Sequence, residues 1–405
     1  MPRPVLRTRA LVSSVALCAT AAYTAACREV SPAAERVQRA SRGIGDVIVA
    51  AAWPWAAKKE IKYGEGLDLA TAEVNSSGGI GGRTLRVVRH DDEESVNVGR
   101  MLAERLASDP DVVAVIGHLQ SYVSVSTAST YEHAGLVMVA PTATDPALTE
   151  QGGSRIFRVT FTEHEVGRQM AQLALARSHR RLAIVYIRSR YGRGLANAFE
   201  ESLSNGGGTI VARQSYDPVR GADDRVFVPI LRDLKQLEFD AIFLAGEVPS
   251  ATSFIVEARR SGITAPIYGG DAMSSPALLA GGEAAEGVIV ATIFHPDDPR
   301  PEVRRFVDAF RAKYHIDPDV GSAAGYDAMR VLAEAMRYAK SSVPDSVALA
   351  LREMPVWTGA TGPFRFTTRG ELAERPLVMA VVRNGRFVFL DRDRKLAAAS
   401  DGSQP

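Results

Sequence analysis

The sequence predicts an α/β protein made of two units, each with a mostly parallel sheet and helices on both faces. The first observation is an alternation of apolar strand-like runs with amphipathic helical stretches that begins near Asp46. The second is that this alternation restarts after a break near residues 157–161. A length of 405 residues, 46% of them hydrophobic and 23% charged, suits two globular domains of ordinary size.

Charge and cysteine usage exclude several classes of function. The 48 basic and 47 acidic residues nearly cancel, so no basic surface for nucleic acid is expected. The only cysteines are Cys18 and Cys27, so the rest of the chain holds neither a disulfide nor a cysteine-ligated zinc ion.

The N-terminal residues indicate an export signal. Three arginines within the first nine residues precede an uncharged run, 10–26, that is short for a membrane span. The end of this run, TAAC, resembles a bacterial lipobox with Thr24 in place of the usual leucine, which predicts lipidation of Cys27. A plain secretory signal with a chance cysteine is the alternative. The polar residues after Cys27 are expected to lack regular structure.

The elements of the first unit follow simple patterns. Strands are short apolar runs, and helices place apolar residues three or four positions apart. Gly78 is expected to end the first helix. The predicted order is the strand DVIVAAAW, the helix YGEGLDLATAEVNSSGG, the strand LRVVRH, the helix VGRMLAERLASD, the strand VVAVIG, a helix from Ser121 and the strand LVMVAP.

The second unit follows the same patterns and leads into a helix-rich return over residues 301–354. Its predicted strands are RLAIVYI, TIVARQSY, DAIFLAG, APIYGG and GVIVATI, and the strands after the return are GPFRFT, LVMAVVR and RFVFL. Residues 394–405 are expected to form a disordered tail.

Enzyme signatures are mostly missing. The sequence has no serine-nucleophile elbow, no nucleotide-phosphate loop and no zinc-protease helix. The acidic segment HDDEES is expected to lead into a helix with Ser95 as N-cap, rather than to bind a metal ion. His118 lies three residues before Ser121, which leaves an exported enzyme as an alternative function.

Polar loops follow five predicted parallel strands, at the edge where open α/β sheets bind ligands. In one of them the strand ends at Gly117, and a helix that begins near Ser121 presents unpaired N–H groups and its positive dipole end. These features favour a carboxylate ligand in a cleft shared by the two units. The five loops are GHLQSY, PTATDP, SRYGRG, GEVPS and GGDAM.

Six segments match those of a known family in the same order along the chain. They are VNSSGGIGGRTLRVVRHDDEES, VIGHLQSYVS, VAPTATDPALT, YGRGLANAF, GGDAMSSPAL and AAEGVIVAT. From residue 46 to about residue 390 the chain thus resembles the branched-chain amino-acid type of ABC-transporter substrate-binding proteins. The resemblance implies a type I periplasmic-binding-protein fold, in which two Rossmann-like lobes are joined by three crossover strands. The crossovers would lie near residues 158–161, 290–294 and 358–362.

This resemblance sets the expected boundaries of the domains. They are a signal peptide at 1–26, lipidated Cys27 with a flexible linker over 27–45, a first lobe of 46–160 and 294–357, a second lobe of 161–293 and 358–393, and the tail at 394–405.

The resemblance also implies ligand-binding residues. The α-carboxylate of the ligand would contact the hydroxyl of Ser121 and the hydroxyl and backbone N–H of Thr144. The α-ammonium group would contact the Thr142 carbonyl, the Thr144 hydroxyl and the Asp271 carboxylate. The expected aromatic residues of the cleft are Tyr63 and Tyr191.

Two departures from the family pattern bear on the ligand. Trp53 and Trp55 add bulk where relatives have a loop of small residues, and they either line the cleft or pack in its rim or core. Glu247 stands where relatives commonly have a tyrosine. An unpaired buried carboxylate is costly, so Glu247 beside Asp271 disfavours a purely aliphatic ligand side chain unless it points to solvent or pairs with an arginine.

The predicted function is that of a lipid-anchored solute-binding protein outside the cytoplasm, working with an ABC permease in the membrane. Its ligand would be an amino acid or a related amide, bound without chemical change and without a cofactor or a metal ion. A sensor subunit of the same fold is the main alternative.

Overall fold

The computed structural model describes residues 30–150, 153–217, 224–373 and 377–390. The predicted signal peptide, Cys27 and the predicted C-terminal tail lie outside these residues. The described chain forms a five-stranded sheet, a seven-stranded sheet and a small two-stranded sheet. None of its helices combines the length and the apolar character needed to cross a membrane.

The first sheet is wholly parallel, with the strand order β2-β1-β3-β4-β5. Its inner strands are apolar on both faces because helices cover both sides, as parallel sheets require. The strands are β1 (Val47–Trp53), β2 (Leu85–Asp91), β3 (Val112–Gly117), β4 (Val137–Ala140) and β5 (Ile156–Arg158).

The second sheet has the order β14-β13-β10-β9-β8-β6-β7, parallel from β7 to β10 and antiparallel at β13 and β14. Its strands are β6 (Arg181–Ile187), β7 (Thr209–Tyr216), β8 (Ala241–Ala245), β9 (Ile267–Gly269), β10 (Ile289–Thr292), β13 (Val378–Arg383) and β14 (Arg386–Phe389), while β11 (Trp357–Gly359) and β12 (Gly362–Phe364) form the two-stranded sheet.

Thirteen α-helices occur in the described residues. The first four are α1 (Pro32–Arg42), α2 (Tyr63–Ser76), α3 (Val96–Ser108) and α4 (Ser121–His133). The next five are α5 (Ala147–Glu150), α6 (Glu163–Ala176), α7 (Arg190–Asn205), α8 (Val228–Leu234) and α9 (Ser250–Arg260). The last four are α10 (Pro276–Leu279), α11 (Pro301–Tyr314), α12 (Val320–Ala339) and α13 (Pro344–Glu353). Short 3-10 turns at Asp224–Phe227, Asp271–Met273 and Gly282–Ala285 complete the helical elements.

The parallel parts of the two sheets share one topology. In each, the first strand in sequence lies between the second and the third, so the order reverses between β1 and β3 and again between β6 and β8. Loops leave such a pair of strands in opposite directions and open a crevice at the carboxyl edge. The polar loops identified in the sequence follow β3, β4, β6, β8 and β9, at that edge.

The expectation that the linker lacks structure is wrong for its larger part, because Pro32–Arg42 forms α1. The Ser31 side chain accepts a hydrogen bond from the Ala34 N–H and caps its start. Arg36 in its centre is fully buried and donates hydrogen bonds to backbone carbonyls at the ends of α3 and α4 and at the start of β3. These contacts fix α1 on the edge of the first sheet opposite the crevice.

The boundary expected after residue 357 also differs in the structure. Residues 358–373 are expected in the second lobe but pack against elements of the first. The buried Asp327 carboxylate of α12 accepts hydrogen bonds from the N–H groups of Ala360 (3.0 Å) and Thr361 (2.6 Å). Further on, the Gly370 carbonyl accepts from the Arg158 N–H at 2.8 Å. The N–H groups of Ala360 and Thr361 satisfy the buried Asp327 carboxylate, and the Gly370 carbonyl pairs with the backbone of β5, so both contacts attach this segment to the first lobe.

Candidate functional site

The first-lobe side of the crevice brings three hydroxyl residues together. Ser121 is the first residue of α4, and its Oγ accepts hydrogen bonds from the N–H groups of Thr144 (3.1 Å) and Asp145 (3.4 Å). The Thr142 hydroxyl donates to the Leu119 carbonyl at 2.8 Å. The loops after β3 and β4 are therefore joined directly, with Ser121, Thr142 and Thr144 in one corner.

This corner has the electrostatic character of a helix N-terminus. The N-cap of α4 is Gln120, whose side chain makes no capping hydrogen bond. Because Ser121 is the first residue of α4, the positive end of the helix dipole lies at the corner, and an anion placed there is stabilised. The corner can hold a carboxylate with the Ser121 and Thr144 hydroxyl groups as donors.

The second-lobe side presents a tyrosine and an acid in contact. The Tyr191 hydroxyl, in the first turn of α7, donates to Asp271 Oδ1 at 2.9 Å and accepts from the Ala272 N–H at 3.3 Å. Burial raises the pKa of Asp271, and the hydrogen bond from Tyr191 opposes that rise. An ammonium group beside Asp271 would compensate the buried charge.

Glu247 lies at the point where the strand order of the second sheet reverses. It follows β8, and Ser189, which follows β6, lies near it with 3.5 Å between Ser189 Oγ and Glu247 Oε1. No cation of the described residues forms an ion pair with Glu247. Burial is the main reason that its pKa is raised, and the negative charges of Glu94 and Asp271 add to the effect.

The sequence reasoning missed the first-lobe residues that face Glu247. Lys58 pairs with Glu94 at 3.2 Å, and Gln120 Nε2 donates to the same carboxylate at 2.9 Å. The positive charge of Lys58 lowers the pKa of Glu247, whereas the charge of Glu94 raises it. Glu94 belongs to the acidic segment HDDEES, which is the sequence feature that could have identified these residues.

Trp53 takes the second of the two positions expected for it, packing in the core, and Tyr63 packs there with it. Their rings stack with centroids 3.8 Å apart, and both side chains belong to the core between β1 and α2. Trp53 is 1% exposed and Tyr63 is fully buried. Trp55 is half-buried instead and packs under the Arg89 guanidinium, 4.7 Å from its ring centroid. Ligand contact by Trp53 and Tyr63 stays a prediction that this packing does not support.

His118 belongs to a buried hydrogen-bond network. Its Nδ1 lies 2.6 Å from Asp92 Oδ2, and its Nε2 lies 3.1 Å from the Tyr131 hydroxyl. Both ring nitrogens thus have partners other than Ser121, so His118 is not placed to activate that hydroxyl. The described residues also contain no cluster of histidine, cysteine and acidic side chains that could hold a metal ion.

The two sides of the crevice are joined at one end by charged groups. Arg190, next to Tyr191, forms an ion pair with Asp145, next to Thr144. The Asp145 side chain is 4% exposed and that of Arg190 is 59% exposed. The ion pair thus links the residue after Thr144 to the residue before Tyr191, and the hydroxyl corner and the Tyr191–Asp271 pair lie on opposite sides of the crevice.

Comparison with known proteins gives consistent results. A family model described as periplasmic binding protein matches residues 55–386. The Leu/Ile/Val-binding protein of Escherichia coli strain K12 is 29% identical over 317 residues, which are 77% of this chain and 84% of that protein.

Solved structures show the same likeness. An ABC transporter substrate-binding protein from Desulfitobacterium hafniense in complex with Leu is 36% identical, with a TM-score of 0.75 over 85% of this chain and all of that one. A branched-chain amino acid transporter substrate-binding protein from Streptococcus pneumoniae in complex with isoleucine is 26% identical, with a TM-score of 0.76 over 84% and 97% of the two chains.

Proposed function

Because this chain belongs to the periplasmic binding protein family, we propose that it delivers an amino acid or a related amide to an ABC importer. Members of this family bind solutes of ABC transporters, so the chain is a binding protein and not an enzyme. The Leu-bound and isoleucine-bound relatives support an amino acid as ligand.

One observation carries the proposal: the hydroxyl corner of Ser121, Thr142 and Thr144 faces the Tyr191–Asp271 pair across the crevice. The first side suits the α-carboxylate of an amino acid and the second suits its α-ammonium group. Opposite charges at a fixed separation match a zwitterion better than a sugar or an inorganic ion.

The test is a thermal-shift screen with the twenty amino acids, their amides and polyamines. A ligand at one hundred times its dissociation constant should raise the free energy of unfolding by about 2.7 kcal/mol. Mass spectrometry of the incubated ligand should show no turnover. Stabilisation by sugars or inorganic anions only, with no response to any amino acid or amide, would contradict the proposal.

Anchoring at the membrane is a second part of the proposal, and it rests on the TAAC sequence before Cys27. The expressed protein should partition with membranes through a lipid on Cys27. Cys27→Ala should abolish lipid attachment while the folded part keeps its thermal stability. Mature protein that is wholly soluble and cleaved elsewhere would leave a plain secretory signal as the explanation.

A further inference from the structure

The end of the crevice next to the crossover strands holds four charged residues, three of them buried and one exposed. Asp145 lies in the first lobe, Arg190 begins α7 of the second, and Glu163 begins α6 just after the crossover near residues 158–161. Arg158 is fully buried and donates to the Ala143 and Asp145 carbonyls and to the Thr149 hydroxyl. Arg158 is therefore held in the first lobe, and Arg190 is the cation that can move.

Glu163 is an unusual group for this position. The residue is 4% exposed, and among the described residues its Oε2 has no hydrogen-bond partner. Its backbone N–H donates to the Thr144 carbonyl at 3.0 Å, so it adjoins the hydroxyl corner. A buried carboxyl with an unpartnered oxygen is costly unless a second arrangement of the site satisfies it.

The geometry of α7 places Glu163 within reach of Arg190. Glu163 Oε1 lies directly against Gly194 of α7, at a spot where a Cβ on that glycine would overlap it. Gly194 is four residues after Arg190, so both lie on the same face of the helix, one turn apart. The flexible Arg190 side chain can turn from Asp145 to Glu163 without any movement of its own helix.

We propose that Arg190 exchanges carboxylate partners as the lobes move, pairing with Asp145 when they are closed and with Glu163 when they part. The Arg190–Asp145 pair bridges the lobes, whereas an Arg190–Glu163 pair lies within the second lobe. The exchange makes Arg190 a determinant of ligand affinity that does not contact the ligand. This proposal rests on one part of the proposed function, namely that a ligand binds between the lobes.

Protonation of Glu163 is linked to this exchange. The charged groups that face Glu163 are Asp145, Asp271, Arg158 and Arg190. Burial, with the first two of these charges, raises its pKa from the ordinary value of 4.5 to about 8 in the bridged form. Between pH 4.5 and about pH 8, Glu163 is mostly protonated in the bridged form and mostly charged in the parted form. Rising pH therefore opposes closure in this range, and the effect levels off above about pH 8.

The experiment measures the distance between the lobes without any ligand. No cysteine follows Cys27, so spin labels can be attached at Arg100→Cys in α3 and Arg260→Cys in α9, both exposed.

Arg190→Gln and Asp145→Asn should each shift the distance distribution toward the parted form, and their combination should shift it no further. Glu163→Gln should shift the distribution toward the closed form, because it removes the partner that Arg190 takes when the lobes part. The control Arg188→Gln breaks an exposed pair with Asp217 within the second lobe and should leave it unchanged.

The pH response and the affinity give two further readouts. From pH 5.5 to 8.5 the wild-type distribution should approach that of Arg190→Gln, and Glu163→Gln should not follow. With L-leucine as probe, Arg190→Gln should weaken binding by roughly three- to tenfold, and Arg188→Gln should not. Distance distributions that coincide in all variants would overturn the proposal. Failure of L-leucine to bind the wild type would agree with the selectivity expected of Glu247, and the distance result would then decide on the exchange.

Discussion

At the scale of single residues, hydrogen bonds between its own two loops stabilise the hydroxyl corner. Ser121 Oγ accepts from the Thr144 and Asp145 N–H groups, which fixes the two loops relative to each other. The hydroxyl hydrogen of Ser121 is left to point toward a ligand, because an oxygen that accepts twice still has its own proton to donate. The residue that shapes the corner is therefore also a candidate donor to the ligand carboxylate.

Replacing both hydroxyl groups should remove most of the affinity. A hydrogen bond to a charged group contributes roughly 1.5–3 kcal/mol, so Ser121→Ala and Thr144→Ala should each weaken amino-acid binding by more than about tenfold. Titration calorimetry measures the affinity. The control is Ser126→Ala, whose hydroxyl donates to the Val123 carbonyl within the same helix and should not affect binding. Normal binding by the double variant would refute the assignment.

Glu247 should set the choice of ligand side chain. The only hydrogen bond of its side chain within the described residues is the long contact with Ser189, so a ligand with a side-chain N–H donor should satisfy the carboxylate. We expect L-glutamine or another donor-bearing amino acid to bind more tightly than L-leucine, by roughly tenfold. Glu247→Tyr should reduce that preference.

Calorimetry with both ligands checks this expectation, with the exposed Glu201→Tyr in α7 as the control. If the wild type prefers L-leucine and Glu247→Tyr leaves the ratio of affinities as it was, Glu247 has no part in selectivity.

At the scale of elements, α1 depends on one side chain. The Arg36 guanidinium donates to the Val112 carbonyl at 2.6 Å and to the Ala107 and Asp109 carbonyls at 2.9 Å, as well as to those of Leu106 and Ala134. Four of these carbonyls lie at the ends of α3 and α4, where a helix presents its negative dipole end, and the fifth, that of Val112, lies at the start of β3. One cation thus satisfies the ends of two helices at once.

Loss of Arg36 should therefore destabilise the whole first lobe. Arg36→Ala leaves buried carbonyls without donors and should lower the free energy of unfolding by roughly 3 kcal/mol or more. Arg36→Lys should be intermediate, because an ammonium group cannot reach five acceptors. Arg39→Ala, which breaks surface pairs with Glu35 and Asp111, is the matched control, and urea denaturation should show no resolvable change. Equal stability of the Arg36 and Arg39 variants would contradict this account.

The difference between α1 and the other elements shows what a sequence can predict. Strands such as VIVAAAW and VVAVIG are apolar on both faces, so local pattern alone identified them. PAAERVQRASR carries few large apolar side chains, and its helix is stabilised by carbonyls 70 or more residues away. The Arg190–Asp145 and Lys58–Glu94 pairs were missed for a related reason, since each joins loops that only the folded chain brings together.

At the scale of the whole molecule, two lobes joined by short crossovers are expected to move as rigid bodies. Each lobe has its own sheet, and ligand groups on both sides give the closed form a higher affinity. Small-angle X-ray scattering at saturating amino acid should show a smaller radius of gyration than without it. An unchanged radius at saturation would indicate a rigid crevice.

The attachment of α1 also has a consequence for the order of folding. A growing chain produces α1 first, yet the carbonyls that hold Arg36 come 70 to 98 positions later. Until the end of α4 has been synthesised, this set of carbonyls is incomplete, and an isolated helix of 11 residues is marginal in water. The first of the described helices to be synthesised is thus among the last to dock, so it completes a lobe that has already assembled and is not part of its folding nucleus.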